Sequence, residues 1–311
     1  MTGAPVLVTG GTGFIGGHLV DRLLAEGCAV TLLARPGAAI PARWQQRVEV
    51  LRLTGMDYAA MIDLVGSRRF SVIYHLAAAG VLPQDRNIET LLAVNTLWPV
   101  ALVRLAAATG ARLVVTGSSA EYAPASDGTL LVETAPLETE RLYGATKAAG
   151  GLATLAAAHS LGVPVAYLRL FNVYGPGEAA HRLLPSLVSQ LARETPVALS
   201  DGLQIRDFIH VGDVVEALWQ AGTGEARTAA FNISTGTGHS VRDFACAVAR
   251  ALGRPESLLR FGALPRRPDD LAWLVGDNAR ARASLSFQPR FDFASGIDCA
   301  IAALRSDKGE E

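Results

Sequence analysis

The chain has 311 residues, of which 50% are hydrophobic and 18% are charged, so it is long enough for one large domain or two interlocked ones. Its 28 basic and 29 acidic residues nearly cancel, and no basic block with interleaved aromatic residues occurs, so a nucleic-acid partner is not expected. The apolar runs are broken by Gly, Pro or charge before they reach the roughly 18 residues that a membrane span needs, so no membrane association is expected.

The first predicted strand leads into a glycine-rich turn. Residues 6–9, VLVT, are a short apolar run typical of a buried parallel strand, and GGTGFIGGHLVDRLLAEG then passes into an amphipathic helix. Glycines spaced three apart at this point let a pyrophosphate approach the backbone N–H groups of the helix N-terminus, so a dinucleotide site is predicted. The expected cofactor-binding residues of this turn are Gly10, Gly13, Phe14, Ile15 and Gly16.

The second predicted strand, AVTLLARPG, bears on the choice of dinucleotide. A free ribose 2′-hydroxyl is usually held by an Asp or Glu at the end of this strand. Here the place is taken by Ala34, followed by Arg35, whose guanidinium suits a 2′-phosphate. We therefore expect an NAD(P) cofactor with a preference for NADP(H). The alternative is that Arg35 is a surface residue in a turn ended by Pro36.

Strand–helix alternation continues along the chain. Strands are predicted at 48–53, 71–78 and 112–119, and helices at about 57–66, 88–109 and 141–160. This order predicts an α/β fold with a doubly wound, parallel Rossmann-type sheet, and such sheets bind ligands at the carboxyl ends of their strands. Four residues would meet at that rim: Arg35, Ala77, Asn95 and Ser118.

The segment RLYGATKAAG places Tyr143 one helical turn before Lys147, with the two side chains about 6 Å apart on one face. A free tyrosine ionises near pH 10, and a neighbouring ammonium together with a positive nicotinamide would lower that pKa towards the working range. Taken alone, the pair is also compatible with a solvated lysine beside a packed aromatic ring.

Motifs that accompany the pair extend over nearly the whole chain. They are VTGGTGFIG (8–16), HLAA (75–78), NT (95–96), GSSAEY (117–122), YGATK (143–147), LRLFNVYGPG (168–177), RDFIHVGDVVEA (206–217), FNISTG (231–236) and RRPDD (266–270). In this order and spacing, the sequence resembles the extended short-chain dehydrogenase/reductase family, specifically its NAD(P)-dependent nucleotide-sugar epimerases, dehydratases and ketoreductases.

The resemblance assigns roles to residues. It implies that Tyr143 and Lys147 are catalytic and that Ser118 is the active hydroxyl residue, with Ser119 as the alternative. It implies further cofactor contacts from Leu76, Ala77, Ala78, Asn95, Phe171 and Asn172. Thr54 stands where relatives often place an Asp near the adenine, which would make the adenosine end less restrictive.

The later part of the chain is predicted to hold the substrate. Residues 1–177 form the expected dinucleotide-binding domain, to which 206–236 returns, and residues 178–205 and 237–311 form a smaller, interleaved substrate-binding domain. The resemblance implies that Arg206 and Arg267 bind a sugar-nucleotide diphosphate. Arg182 is a further candidate, with a surface role equally open, and Asp270 either orients Arg267 or touches a ribose, or else forms a plain ion pair. The expected substrate-binding residues are Ser118, Ser119, Asn172, Arg182, Arg206, Arg267 and Asp270.

Three reactions are weighed. The family's dehydratases carry Asp-Glu after the active hydroxyl residue, where this chain has Ser119 and Ala120, and strand alternation would point Glu121 to the opposite face. The first expectation is reduction of a 4-keto(-6-deoxy) sugar nucleotide at C4 with Tyr143 as proton donor. The alternative is a UDP-glucose 4-epimerase-like reaction through a transient 4-keto intermediate. A non-catalytic dinucleotide-sensing protein is disfavoured because both Tyr143 and Lys147 are present.

Assembly and location are also expected from the sequence. The resemblance implies a homodimer packed through the helices near 88–109 and 141–160, with Leu91, Leu92, Leu97 and Leu105 as candidate contacts. No basic region precedes the first apolar run, so a cytoplasmic protein is expected. The three scattered cysteines, Cys28, Cys246 and Cys299, are expected to be buried thiols, and no metal site is predicted from the six histidines.

Overall fold

The computed structural model describes residues 2–53, 58–81, 85, 87–225, 227–267 and 270–306, so Thr54 lies outside the described residues. The strands are β1 (Pro5–Thr9), β2 (Ala29–Ala34), β3 (Val48–Arg52), β4 (Val72–His75), β5 (Arg112–Ser118), β6 (Val165–Leu170), β7 (Asn172–Tyr174), β8 (Val197–Ala198), β9 (Ile205–Arg206), β10 (Phe208–His210), β11 (Ala229–Ile233), β12 (His239–Ser240), β13 (Leu259–Arg260) and β14 (Trp273–Leu274).

The helices alternate with these strands. They are α1 (Phe14–Ala25), α2 (Tyr58–Val65), α3 (Ile88–Leu91), a π-helical segment (Leu92–Leu97), α4 (Trp98–Thr109), α5 (Leu142–Leu161), α6 (Leu183–Ala192), α7 (Val211–Thr223), α8 (Val241–Ala251), α9 (Ala279–Leu285) and α10 (Phe293–Ser306). Single turns of 3₁₀-helix lie at Ala42–Trp44, Ser119–Glu121 and Glu256–Leu258.

A seven-stranded parallel sheet with the order β11-β6-β5-β4-β1-β2-β3 forms the centre of the fold, which confirms the predicted doubly wound architecture. β1 pairs with β2 on one side and with β4 on the other, so the strand order reverses at β1. In open α/β sheets this reversal opens a crevice at the carboxyl ends of the strands, where ligands bind.

Helices cover both faces of the sheet, which explains why its strands are apolar without alternation. Val6 and Val8 join a core that includes residues of α1 and α7. Leu7, between them, points to the opposite face and joins a core that includes residues of α2 and α4. The sheet is therefore held from both sides, and its carboxyl edge provides a rigid platform.

A smaller part of the fold carries its own apolar core. That core joins α6, α8 and α10 through residues such as Leu187, Phe244 and Ile301. Three short sheets accompany it: β10-β7, β12-β9-β14 and β13-β8. Of the segment 206–236 that was predicted to return to the main sheet, β11 pairs with β6, whereas β9 and β10 pair in the short sheets.

The helical stretch Ile88–Thr109 is, within the described residues, the one that is long and apolar enough to cross a membrane by length and composition alone. Of its most apolar window, 44% is buried inside the protein. Leu102 and Leu105 contribute to the core beneath the sheet, so this stretch packs as a core helix.

The cysteines differ from the prediction of three buried thiols. Cys28 is buried and Cys246 is half-buried, whereas Cys299 is exposed on α10, and none of the three forms a disulfide. The C-terminal helix is amphipathic, and Cys299 lies beside the buried Ala300 rather than on the buried face.

Candidate active site

The glycine-rich turn between β1 and α1 is shaped to receive a phosphate group. Gly10 has φ +72°, and a Cβ atom there would lie 2.5 Å from the backbone nitrogen of Ala77. A Cβ on Gly16 would collide with the carbonyl oxygen of Gly10. The helix begins after Gly13 with no side-chain cap and no acidic residue in its first turn, so its N–H groups are left for an anion. The turn therefore fits a dinucleotide pyrophosphate.

His75 and Asn95 fix the loop that follows β4. The Nδ1 atom of His75 lies 2.7 Å from the hydroxyl of Thr9 on β1, and burial lowers the pKa of His75 to about 3, so the ring is neutral. Asn95 accepts a hydrogen bond from the backbone N–H of Ala79 at 3.0 Å and donates to its carbonyl at 3.1 Å. Leu76, Ala77 and Ala78 are thereby held at the rim.

Asn95 also connects this loop to α5. The Asn95 amide donates to the hydroxyl of Thr146 at 3.2 Å, and the hydroxyl of Thr96 donates to the carbonyl of Thr146 at 2.8 Å. Asn95 and Thr96 lie in the π-helical segment, and such wide turns are frequent at functional sites. The segment thus positions the helix that carries Tyr143 and Lys147.

Ser118, Tyr143 and Lys147 come together as predicted. Ser118 and Tyr143 are neighbours, and the Ser118 side chain acts on the Tyr143 phenol to lower its pKa. Lys147 is 2% exposed, and its ammonium donates to the carbonyl of Thr116 on β5 at 2.7 Å. Ser119 is buried, whereas the half-buried Ser118 makes the contact with Tyr143. The geometry therefore favours Ser118 over Ser119 as the active hydroxyl residue.

The electrostatics of the pair differ from the expectation that Lys147 lowers the pKa of Tyr143. Burial raises the pKa of the Tyr143 phenol and outweighs the hydrogen bond from Ser118 and the charge of Arg182, which lower it. Burial also lowers the pKa of Lys147 to about 8, against the charge of Glu121. The Tyr143 phenol is therefore protonated at neutral pH and can act as a proton donor.

The adenosine end of the rim carries guanidinium groups. Ala34 is buried at the end of β2, and Arg35 after it is exposed. Arg52, at the end of the neighbouring β3, donates to the carbonyl oxygens of Arg35 at 3.2 Å and Ala38 at 2.7 Å. Arg52 thus shapes the loop after β2, and neither strand end offers a carboxylate.

The candidate diphosphate residues separate into different environments. Arg206 is buried and forms an ion pair with Asp270, which also accepts from the amide of Gln204 at 3.0 Å. Asp270 therefore orients Arg206, and the prediction that it orients Arg267 is wrong; Arg267 is exposed. Asp270 reaches Arg206 because the loop that carries it runs into β14, which pairs with β9.

Arg182 lies at the other side of the site. It precedes α6 and forms an ion pair with Glu178 at 3.3 Å, and its charge acts on Tyr143. Asn172 begins β7 and is half-buried, and Phe171 before it is buried against Tyr122. Arg182 is thus associated with the reacting group, whereas Arg206 lies with Asp270.

One residue close to the site was not predicted to contribute. Glu121 was expected on the opposite face of a continuing strand, but β5 ends at Ser118 and a 3₁₀ turn follows. Its carboxylate folds back to accept the backbone N–H of Ser118 at 2.8 Å, and the Ser118 side chain accepts from Ala120. The spacing of Ser118 and Glu121 is a capping box, which is the sequence signal that could have found it.

Within the described part of the chain, no group of three or more His, Cys, Asp or Glu side chains is arranged to hold a metal ion. The features that are present are a glycine turn at the strand-order reversal and a Ser–Tyr–Lys arrangement on the same rim. Together they define a dinucleotide-dependent oxidoreductase of the short-chain dehydrogenase/reductase type.

Comparison with known proteins agrees with this class. Residues 6–234 match the NAD dependent epimerase/dehydratase family, and the chain belongs to that family of nucleotide-sugar epimerases, dehydratases and dehydrogenases. It is 32% identical over 315 residues to a UDP-glucose 4-epimerase from Mycolicibacterium smegmatis, covering 96% of this chain and 98% of that protein. It is 31% identical over 295 residues to a dTDP-6-deoxy-L-talose 4-dehydrogenase (NAD(P)(+)) from Kitasatospora kifunensis, covering 92% and 91%.

A solved structure extends the similarity to the fold. MoeE5 in complex with UDP-glucuronic acid and NAD is 31% identical, superimposes with a TM-score of 0.83, and covers 97% of this chain and 99% of its own. The bound molecules in that structure are a nucleotide sugar and NAD.

Proposed function

We propose that this enzyme reduces the keto group at C4 of a 4-keto(-6-deoxy) sugar nucleotide, with Tyr143 as the proton donor. The observation that carries the proposal is that Ser118 and Tyr143 are neighbours at the carboxyl edge of the sheet, with Lys147 one helical turn away and its ammonium bound to the carbonyl of Thr116. A half-buried phenol whose pKa is raised stays protonated and is suited to donate to a developing alkoxide.

The chain's own residues supply binding and proton transfer. A reduced nicotinamide, when bound, supplies the hydride that reaches C4. Tyr143 gives its proton to O4, so the carbonyl becomes a secondary alcohol, and Ser118 donates a hydrogen bond to the same oxygen. The cofactor would be held by the turn at Gly10–Gly16, by the loop at 76–78 and by Lys147. On the substrate side, the Arg206 guanidinium is suited to a diphosphate.

Dehydration has little support from the site. Ser119 and Ala120 stand where the family's dehydratases carry their acid–base pair, and the carboxylate of the next residue, Glu121, is turned towards Arg169. A carboxylate paired in this way is not placed to remove a proton from the sugar.

The preference for NADP(H) rests on Arg35. Its exposed guanidinium follows Ala34, so a 2′-phosphate would meet a cation and no carboxylate. The similarity to a dTDP-6-deoxy-L-talose 4-dehydrogenase (NAD(P)(+)) supports the reaction and is compatible with either cofactor. The NAD bound in MoeE5 supports the alternative that the cofactor is NAD.

A second candidate is a nucleotide-sugar 4-epimerase, favoured by the 32% identity to a UDP-glucose 4-epimerase. The same Tyr143 would then remove and return the proton at O4. Net reduction and epimerisation therefore differ in whether the cofactor is consumed.

One pair of assays separates the candidates. Oxidation of NADPH and of NADH is followed at 340 nm with a 4-keto-6-deoxy sugar nucleotide, and interconversion of UDP-glucose and UDP-galactose is followed without added reductant. Stoichiometric oxidation in the first assay supports the reductase. Epimer formation in the second, with no net oxidation in the first, would replace it with the epimerase.

We also propose a homodimer through the outer face of the Ile88–Thr109 helix and α5. Leu92, Leu97 and Leu152 are 42%, 63% and 58% exposed, which supports an apolar contact on this face. Leu91 and Leu105 are buried in the protomer, so their predicted contribution to that contact is wrong. Sedimentation at micromolar concentration tests the proposal: a dimer that becomes a monomer in Leu92→Glu is expected, and a monomeric wild-type protein would contradict it.

A further inference from the structure

Glu121 lies behind the active site with no exposed surface. Its Oε1 atom accepts hydrogen bonds from the backbone N–H of Ser118 at 2.8 Å and from the hydroxyl of Tyr167 at 2.9 Å. Its Oε2 atom accepts from the Nε of Arg169 at 2.8 Å. One carboxylate therefore joins the end of β5 to two residues of β6.

The surrounding backbone leaves room for this arrangement. A Cβ atom on Gly117 would collide with both the carboxylate of Glu121 and the ring of Tyr167. A Cβ on Gly151 of α5 would lie 2.8 Å from the same ring. Because glycine stands at both places, Tyr167 fits between β5 and α5, and its hydroxyl lies 3.0 Å from the carbonyl of Lys147. The contact thus extends from Glu121 to the catalytic helix.

We propose that Glu121 is a positioning residue of the active site: its carboxylate fixes the Ser118 backbone against β6 and α5 and places a buried negative charge towards Lys147 and Tyr143. This inference rests on the proposed roles of Ser118, Tyr143 and Lys147.

Charged and titratable groups face this carboxylate and its turn from several elements, and Glu138, whose backbone N–H donates to the carbonyl of Glu121, is paired with Arg141. Arg169 and Tyr167 face it from β6, Tyr143 and Lys147 lie on α5, and Tyr122 follows it in the chain. Lys147 is approached from β4 by His75, which burial keeps neutral. Glu121 is therefore the negative charge that acts on Lys147 among the described residues.

That charge has a consequence with a definite sign. Burial brings the pKa of Lys147 down to about 8, and the charge of Glu121 raises it. Without the charge, the pKa of Lys147 falls further, so the ammonium is lost at a lower pH.

The test is the substitution Glu121→Gln, which keeps an acceptor for the Ser118 N–H while removing the charge. Two quantities are measured between pH 6 and 10: kcat/KM, and the affinity for the reduced cofactor by fluorescence titration without sugar. We expect the alkaline limb of both profiles to move down by about one pH unit. In Lys147→Met the alkaline decrease in cofactor affinity should disappear, which would show that this decrease comes from loss of the Lys147 proton.

Two matched controls separate charge from packing. Tyr167→Phe removes a hydrogen bond of Glu121 and leaves its charge, so the alkaline limb should stay in place. Glu133→Gln removes another nearly buried carboxylate, which acts on Tyr122 and is not among the charges that act on Tyr143 or Lys147. Its profile should match the wild type.

Glu121→Gln leaves Arg169 buried and without its partner, which can prevent folding. The double variant Glu121→Gln/Arg169→Met removes both charges and provides the same measurement. A folded variant of either kind whose alkaline limb coincides with the wild type would overturn the proposal. The binding profile needs no turnover, so a wild-type protein that reduces no 4-keto sugar would remove the proposed reaction while leaving this test intact.

Discussion

The two ends of the predicted cofactor site are built differently. At the reacting end, Asn95, Lys147 and Glu121 are almost fully buried, and each is fixed by hydrogen bonds to neighbouring elements. At the adenosine end, Arg35 and Arg52 are exposed, and the hydrogen bonds of Arg52 go to loop carbonyls.

The difference has an energetic meaning. A buried polar group that loses its partner costs about 1–3 kcal/mol, so the reacting end tolerates few substitutions. Interactions of exposed charged side chains contribute only about 0–1 kcal/mol to the free energy of unfolding. Substitutions of the arginines at the adenosine end should therefore have little effect on stability. In the proposed enzyme, the chemistry therefore depends on packed side chains, and the cofactor preference depends on exposed side chains that can vary.

The largest effect is expected at Tyr143. Tyr143→Phe removes the proton donor and keeps the ring, so kcat should fall by about 10²–10⁴ with folding and cofactor affinity retained. Steady-state kinetics together with a thermal melt measure this. Near-native turnover in the folded variant would show that the buried end does not carry the chemistry.

A smaller effect is expected on the substrate side. Arg206→Ala removes a buried guanidinium held by Asp270, and we expect KM for the sugar nucleotide to rise by about one to two decades, since charge-assisted hydrogen bonds contribute about 1.5–3 kcal/mol. Arg267→Ala is the matched control, because an exposed guanidinium should change KM by less than about fivefold. Equal effects of the two substitutions would contradict the assignment of the diphosphate to Arg206.

The smallest effect is expected at the exposed end. Arg35→Ala should weaken NADPH binding by about one decade while leaving NADH binding and the melting temperature unchanged. Fluorescence titration with both reduced cofactors measures this. Arg47→Ala, an exposed arginine near the start of β3, is the control. If the wild-type protein bound NADH more tightly than NADPH, the proposed preference for NADP(H) would be wrong and the epimerase would be favoured.

Local patterns in the sequence predicted the platform well. The glycine turn and the parallel sheet follow from short-range motifs, because strand ends on a parallel sheet share one rim, whereas the roles of Ser118, Tyr143 and Lys147 were implied by the family resemblance. The 3₁₀ turn after β5 was missed because the alternating pattern of a β-strand was assumed to continue beyond Ser118. The side chain of Glu121 was therefore predicted to lie on the wrong face. The partner of Asp270 was also missed, because it is set by pairing between β14 and β9, whose paired residues are 68 positions apart in the sequence.

The wide turn at Leu92–Leu97 restricts how this gene can change in length. Each residue added to or deleted from a helix rotates everything beyond it by about 100°. A one-residue deletion elsewhere between Ile88 and Thr109 would swing α4 relative to α3, carrying Leu102 and Leu105 away from the core or Asn95 away from Ala79. Only at the wide turn, which holds one residue more than an α-helical turn, would conversion to regular α-helix absorb the deletion. The number of residues on either side of the wide turn is therefore constrained.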